Sequence, residues 1–311
     1  MVAKHRLRLL WVSLLVVGWL LPAPGQAQTL TDVFRFGQQQ GLATVHQQRF
    51  LDYCLQHWTP ADQQKMVTFV RQVRSPLGQF LLLESVLAGD KEARLAPFVQ
   101  ALNRLTDAQM LEQCTVRRSR ALIQQWENTC SITTVQLFLA DLSPRYAYDL
   151  KRNAGYATLL RNPANGIARQ QQRLLGHYGG QAAIRGDYTG GITIGITDVL
   201  NQWVGGILRV RFWAEPAPAS PSDLFVAIRR LLDTGINVPI RVEFLSNAGG
   251  HFLLVLDYRR QADDVYYLLY DPYDGVCGYV SETNLMRGSV APLNTTWQVR
   301  ISHYYPFVAG S

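Results

Sequence analysis

The sequence predicts an α+β protein, with an all-helical N-terminal region followed by a cysteine-bearing helix packed on an antiparallel sheet. Three observations predict it. Residues 29–120 carry apolar side chains at helical spacing between good capping residues, with no strand signal. Past residue 207, short β-branched and aromatic runs follow one another, divided by turn residues. Helices first and strands in series afterwards is the order of a segregated fold, not of an alternating one. With 311 residues, 48% hydrophobic and only 17% charged, the chain can bury a substantial core.

Residues 1–27 read as a secretory signal peptide. Lys4, Arg6 and Arg8 form a basic start, "LLWVSLLVVGWLL" an apolar stretch, and Gly25 and Ala27 stand at −3 and −1 of a cleavage site after Ala27. A periplasmic or secreted address follows; the rival expectation is an uncleaved N-terminal anchor. A second long apolar run is not found, so no stable membrane insertion is expected after cleavage. The formal charge of +7 includes Lys4, Arg6 and Arg8, leaving a scattered +4. The one tight basic cluster, "RRSR" at 117–120, reads as a solvated turn, and no nucleic-acid partner is expected.

The helical region, 28–120, is legible in its caps. In "TPADQQKMVTFVRQV" Thr59 stands at an N-cap, Pro60 at the first helical position and Asp62 three beyond the cap. "SPLGQFLLLESVLAG" opens at Ser75-Pro76 and stops at Gly89; "GDKEARLAPFVQALNRL" and "TDAQMLEQC" follow the same logic. A second region, 121–311, begins with a helix at about 130–142 and another in "PANGIARQQQRLLGHYGG". The glycine-rich "GGQAAIRGDYTGGITIGITDVLNQWVGG" then reads as turns around a short helix near 198–204, either a surface loop or a wall of a cleft. "ILRVRFWA" reads as a strand, and Ser220 or Ser222 caps the helix "DLFVAIRRLLDTG". The strands "VPIRVEFL", "HFLLVLDYR", "VYYLLYDPY", "CGYVS" and "TTWQVRISHYY" complete the sheet.

Four cysteines are present: Cys54, Cys114, Cys130 and Cys277. A secreted chain normally oxidises its thiols, and Cys54 with Cys114 is the expected pair. Pairing of Cys130 with Cys277 would remove Cys130 as a nucleophile. The alternative is chemical. Cys130 stands where "ENT" gives way to an apolar helical run, with Asn128 or Thr129 as cap, so its sulfur is expected near unpaired N–H groups in the first turn. A helix N-terminus lowers a thiol pKa.

A thiol nucleophile also needs a base, a group to orient that base, and donors for the developing oxyanion. Of His46, His57, His177, His251 and His303, His251 has the best setting: "NAGGH" brings it to the start of a strand, behind two glycines that permit close approach of a peptide. A hairpin centred near Gln261–Ala262 places position 251 opposite 271 or 272. Asp271 is then the orienting carboxylate, with Asp274 as fallback; Asp257 lies roughly 20 Å along the strand. Asp271 also suits a turn former in "DPYDG". For the oxyanion, Gln124 and Gln125 precede Cys130, and a side-chain amide with the Cys130 N–H makes a suitable pair of donors. Trp126 lines the same cleft or fills core.

The order Gln, Cys-helix, His-strand and Asp-Pro hairpin resembles the papain-like cysteine peptidases. It is most similar to the bacterial branch containing the double-glycine leader peptidases of bacteriocin exporters. The matching stretches are Gln124 six residues before Cys130, "LLDTGINVPIRVEFL" before the histidine, "GGHFLLVLDY", "YYLLYDPYDG" and "GYVSETNL". The resemblance covers roughly 120–305 and leaves the N-terminal helices unaccounted for. It implies Cys130 as nucleophile, His251 as base, Asp271 as orienter and Gln124 as oxyanion donor. Ser131 stands where many relatives carry Gly, and the exporter's membrane domain is absent from the pattern, so the leader-peptidase role does not carry over. No metal or organic cofactor is expected, since the histidines and cysteines lack zinc-ligand spacing. The expected activity is hydrolysis of peptide or isopeptide bonds in a protein or peptide substrate. The rivals are peptidoglycan amide hydrolysis, deamidation or transglutamination by the same triad, and a catalytically inactive binding module. The N-terminal helices are expected to present substrate, shield the cleft or dock a partner protein.

Overall fold

The computed structural model describes residues 29–43, 45–90, 92–116, 123–125, 129–152, 166–175, 192–246 and 249–309. The expected signal peptide, the "RRSR" cluster, Trp126, Asn128, His177, the His46 side chain and the glycines at 179–191 lie outside the described residues. Among the described residues no helix is long and apolar enough to cross a membrane.

The architecture is α+β, with a helical N-terminal region. Its helices are α1 (Leu30–Gln39), α2 (Val45–His57), α3 (Pro60–Val70), α4 (Pro76–Leu87), α5 (Glu92–Leu102) and α6 (Asp107–Cys114). Capping boxes close the starts of α1 (Thr29 with Asp32), α3 (Thr59 with Asp62) and α6 (Thr106 with Gln109). Each such cap is worth about 1 kcal/mol, which settles where a short helix begins. The helix α4 is the hub, buried along nearly its whole length, with Phe80 edge-on to Phe34 at 5.8 Å.

The remaining helices are α7 (Cys130–Leu142), α8 (Pro144–Arg152), α9 (Gly166–Leu175) and α10 (Ile192–Val199). The last runs through a π-helical turn, Leu200–Gly205, into α11 (Gly206–Leu208). This departs from the sequence reading, which gave a shorter helix and a strand over "ILRVRFWA". Only β1 (Val210–Phe212) of that strand forms. Arg209, at φ 53°, reverses the chain, and a Cβ on Gly205 would lie 2.6 Å from the Val210 carbonyl oxygen. Asn201 then holds both the N–H and the carbonyl of Phe212, at 2.7 and 3.0 Å.

The sheet is antiparallel, with strand order β2-β8-β3-β4-β5-β6 and β7 added beside β8. Its strands are β2 (Glu215–Pro216), β3 (Val238–Phe244), β4 (Gly250–Gln261), β5 (Asp264–Asp271), β6 (Val276–Ser281), β7 (Ser289–Val290) and β8 (Asn294–Tyr304). The short β9 (Phe307–Ala309) pairs with β1 apart from it. The helix α12 (Pro221–Leu232) starts at Ser220, whose hydroxyl meets Ser222 Oγ at 2.8 Å and makes no cap bond. A last short helix, α13 (Glu282–Met286), is capped by Ser281.

Helices cover both faces of the sheet. Phe252, Leu254 and Leu256 of β4 join the core around α7, and Leu253 and Val255 join the one around α12, as period-two alternation requires. Every residue of α7 from Cys130 to Ala140 is buried, so the helix has no solvent face to misplace. The helical region has its own apolar core and meets the rest through α8, an element absent from the sequence reading. Tyr148 of α8 packs into the N-terminal core, while Ala147 and Leu150 pack toward α7. Polar clasps reinforce this seam: Arg145 Nη1 pairs with Asp90 Oδ1 at 3.1 Å, and Lys151 Nζ donates to the Glu112 and Thr115 carbonyls at 2.5 and 2.6 Å.

All four cysteines are free thiols. The expected Cys54–Cys114 bridge is not made. Cys114 is buried close to Lys151, whereas Cys54 lies near Arg209, so the two face different neighbours.

Candidate active site

The N-terminus of α7, the start of β4 and the turn after β5 meet at one end of the sheet. Thr129 is the N-cap of α7, as one of the two sequence readings has it, but its side chain makes no cap bond. The Thr129 hydroxyl instead donates to Gln171 Oε1 at 3.3 Å. The first-turn N–H groups that a capping oxygen normally takes are thereby left for other work. The backbone N–H groups of Phe252 in β4 and of Ser131 lie close enough to the Cys130 sulfur to favour its thiolate.

Cys130, 8% exposed, lies against the His251 imidazole, close enough for the two groups to shift each other's protonation. His251 Nε2 meets Asp271 Oδ1 at 2.7 Å, which leaves Nδ1 as the nitrogen for the thiol. Burial by itself would raise the thiol pKa. The charge and hydrogen bond of His251, helped by the Phe252 and Ser131 amides, outweigh it, and Cys130 lies below the ordinary thiol value. Burial likewise disfavours the imidazolium, but the Cys130 charge, the Asp271 hydrogen bond and the Asp271 charge push His251 up to about 9. The two opposite shifts favour a thiolate–imidazolium pair over the neutral thiol and imidazole.

The β4–β5 register corrects the hairpin reading. The pairing is Gln261 with Asp264 at the turn and Leu254 with Tyr270 beyond a bulge near Val255. Continuing it places position 251 beside 273, so Asp271 is the diagonal neighbour of His251 on the same face. The expected turn lay about one residue too early. Asp271 is also the turn former: its Oδ1 accepts from the Tyr273 N–H at 2.8 Å and its carbonyl from the Gly275 N–H at 3.0 Å. Asp274, the fallback, spends its Oδ1 on the Val276 N–H at 3.2 Å. Asp257 is exposed and bonds the Tyr258 N–H.

Gln124 is buried, and its N–H donates to the Pro272 carbonyl at 2.7 Å, which docks it directly beside Asp271. Gln125 turns its Nε2 back onto the Ile123 carbonyl at 2.9 Å. The rest of the 123–125 segment is held by Gln171 of α9, which the sequence reading missed. Gln171 Oε1 accepts from the Gln125 N–H at 3.0 Å, and its Nε2 donates to the Ile123 carbonyl and to Gln136 Oε1, both at 3.1 Å. In a chain so rich in glutamine, "RQQQR" carries no signal that one of these is special.

No family model, curated protein or solved structure matches the chain.

The glycine immediately before His251 acts within the sheet. A Cβ on Gly250 would lie 2.7 Å from the Val242 carbonyl oxygen, so glycine there lets β4 close onto β3 beside the histidine. Trp297 of β8, also unanticipated, stands edge-to-face with the imidazole at 5.0 Å and packs against Phe244 and Tyr273. An aromatic wall at that edge keeps water off the His251–Asp271 bond and strengthens it. Of the other histidines, His57 ends α2 and His303 sits on β8, where burial and the nearby Arg241 lower its pKa against the opposing charge of Glu243.

Proposed function

We propose that the chain is a periplasmic or secreted thiol hydrolase of papain-like design, cleaving peptide or isopeptide bonds. One observation carries the reading: a buried thiol set against an imidazole whose Nε2 is held at 2.7 Å by a buried carboxylate. A structural cysteine needs neither partner; a nucleophile needs both. The address rests on the N-terminal sequence alone.

In this reading the Cys130 thiolate attacks the scissile carbonyl carbon, forming a C–S bond and an oxyanion. Gln124 and the Cys130 N–H meet that oxyanion. Collapse breaks the C–N bond, and the His251 imidazolium gives its proton to the leaving amine. His251 then takes a proton from water, whose oxygen attacks the thioester; the C–S bond breaks, releasing the acid and restoring the thiolate beside the imidazolium. Asp271 fixes the ring and stabilises its charge throughout. The inactive-binder alternative leaned on a Cys130–Cys277 bridge, and Cys130 is a free thiol. Ser131 in place of glycine leaves its N–H available to the sulfur, so it does not block the site.

The test compares wild type with Cys130→Ala in cells, reading new termini in periplasmic and extracellular proteins. Termini that depend on Cys130 are expected. Identical termini would count against proteolysis, and altered muropeptides instead would assign the same triad to peptidoglycan amides.

A further inference from the structure

We propose that Gln171 is the positioning residue of the oxyanion site: a single buried side chain that sets the place of Gln124 relative to Cys130. The inference rests on the reading of Cys130 as an acyl-transfer nucleophile, and goes beyond it by naming what holds the donors in place.

Gln171 is 0% exposed. A polar amide at a fully buried position is unfavourable unless its hydrogen bonds are made, and leucine would otherwise fill the same volume. Here both acceptor positions of Oε1 and both hydrogens of Nε2 are used, on Gln125 N–H, Thr129 Oγ1, the Ile123 carbonyl and Gln136 Oε1. The orientation of the amide is fixed by its partners. The Gln125 N–H can only donate and the Ile123 carbonyl can only accept, so exchanging Oε1 and Nε2 would break both.

The places of these partners make the argument. Ile123 and Gln125 bracket Gln124 on either side, and Thr129 immediately precedes Cys130. Gln136 lies deeper in the same helix as Cys130. One side chain therefore ties the segment that carries the proposed amide donor to the helix that carries the nucleophile and its N–H. The contact from the Gln124 N–H to the Pro272 carbonyl fixes the other side of this segment. Gln171 touches neither the sulfur nor the imidazole in any of these bonds, so its effect should fall on the oxyanion and spare the thiolate.

Two small reagents separate these effects. Iodoacetamide alkylates the thiolate by displacing iodide, forming C–S and breaking C–I, with no oxyanion. p-Nitrophenyl acetate acylates it through a tetrahedral oxyanion, forming a thioester and releasing p-nitrophenolate. Both rates are measured on the full chain, with Cys130→Ala as background. For Gln171→Leu, alkylation and its pH profile are expected within about threefold of wild type. Acylation is expected to fall by roughly a hundredfold, the loss typical of a misplaced oxyanion donor. Equal loss in both reactions, or loss in neither, would overturn the inference. If Gln171→Leu does not fold by circular dichroism, Thr129→Val is read in the same way, with a selective acylation loss of about tenfold expected and an equal or absent loss overturning it. Failure of the nucleophile reading looks different: wild-type Cys130 would then react with both reagents no faster than free glutathione.

Discussion

His251 Nε2 lies 2.7 Å from Asp271 Oδ1, and the two side chains are 6% and 0% exposed. A charged hydrogen bond so shielded is strong while both partners stand, and costly once one is removed. Asp271→Asn keeps the shape and deletes the charge. Its expected effect is a roughly tenfold slower reaction of Cys130 with iodoacetamide at pH 7, because the imidazolium and with it the thiolate lose support. Asp271→Ala leaves Nε2 of the buried ring without its carboxylate, and urea unfolding should show a loss of about 3–5 kcal/mol. Unchanged alkylation in both variants would remove Asp271 from the site.

The same pair sets a pH profile. Cys130 is lowered, so its alkylation should rise through a midpoint below that of an ordinary thiol. His251, pushed up to about 9, must stay protonated to serve the leaving amine, so hydrolysis should fall as pH passes about 9. In His251→Gln the thiol keeps its burial and loses its counter-charge. Its midpoint should move upward, with the rate at pH 7 down at least tenfold. Trp297→Ala admits water to the His251–Asp271 bond, and the upper limb should then shift downward from about 9 toward the free-imidazole value. A midpoint indifferent to His251 would sink the ion-pair account.

Lys151 gives a stability prediction away from the site. Burial lowers its pKa to about 7, while the Cys114 and Glu112 charges oppose this. The folded value lies below that of the unfolded chain, so the unfolded state binds more protons between the two. Lys151 thus contributes stability that is complete above about 10.4, the unfolded lysine value, and lost as pH falls toward 7. As a neutral amine it still has hydrogens for the Glu112 and Thr115 carbonyls that close the end of α6. Between pH 7 and 9, wild type should gain on Lys151→Met by roughly 1 kcal/mol per pH unit in urea unfolding. A pH-independent gap would show that the amine stays charged in the fold.

Much of this molecule is written locally. The caps at Thr59, Ser75 and Thr106, the helix at 130–142 and the sheet strands need only a few neighbouring residues, because capping bonds and the 3.6- and 2-residue periods act over one or two turns. The sequence by itself therefore determined the α+β order and singled out Cys130, His251 and Asp271. Tertiary structure decided what depends on distant groups. It placed Asp271 diagonally from His251 through a bulge that no local pattern announces. It left Cys54 and Cys114 unbridged because packing sets them against different neighbours. It also chose Gln171 and Trp297, 41 and 167 residues from Cys130 in the chain, as the bond-maker and the wall of the site. One glutamine among many, or one tryptophan on a strand, differs from the others only in what packing brings beside it. That is a property of the folded surface and not of the residue's neighbours in sequence.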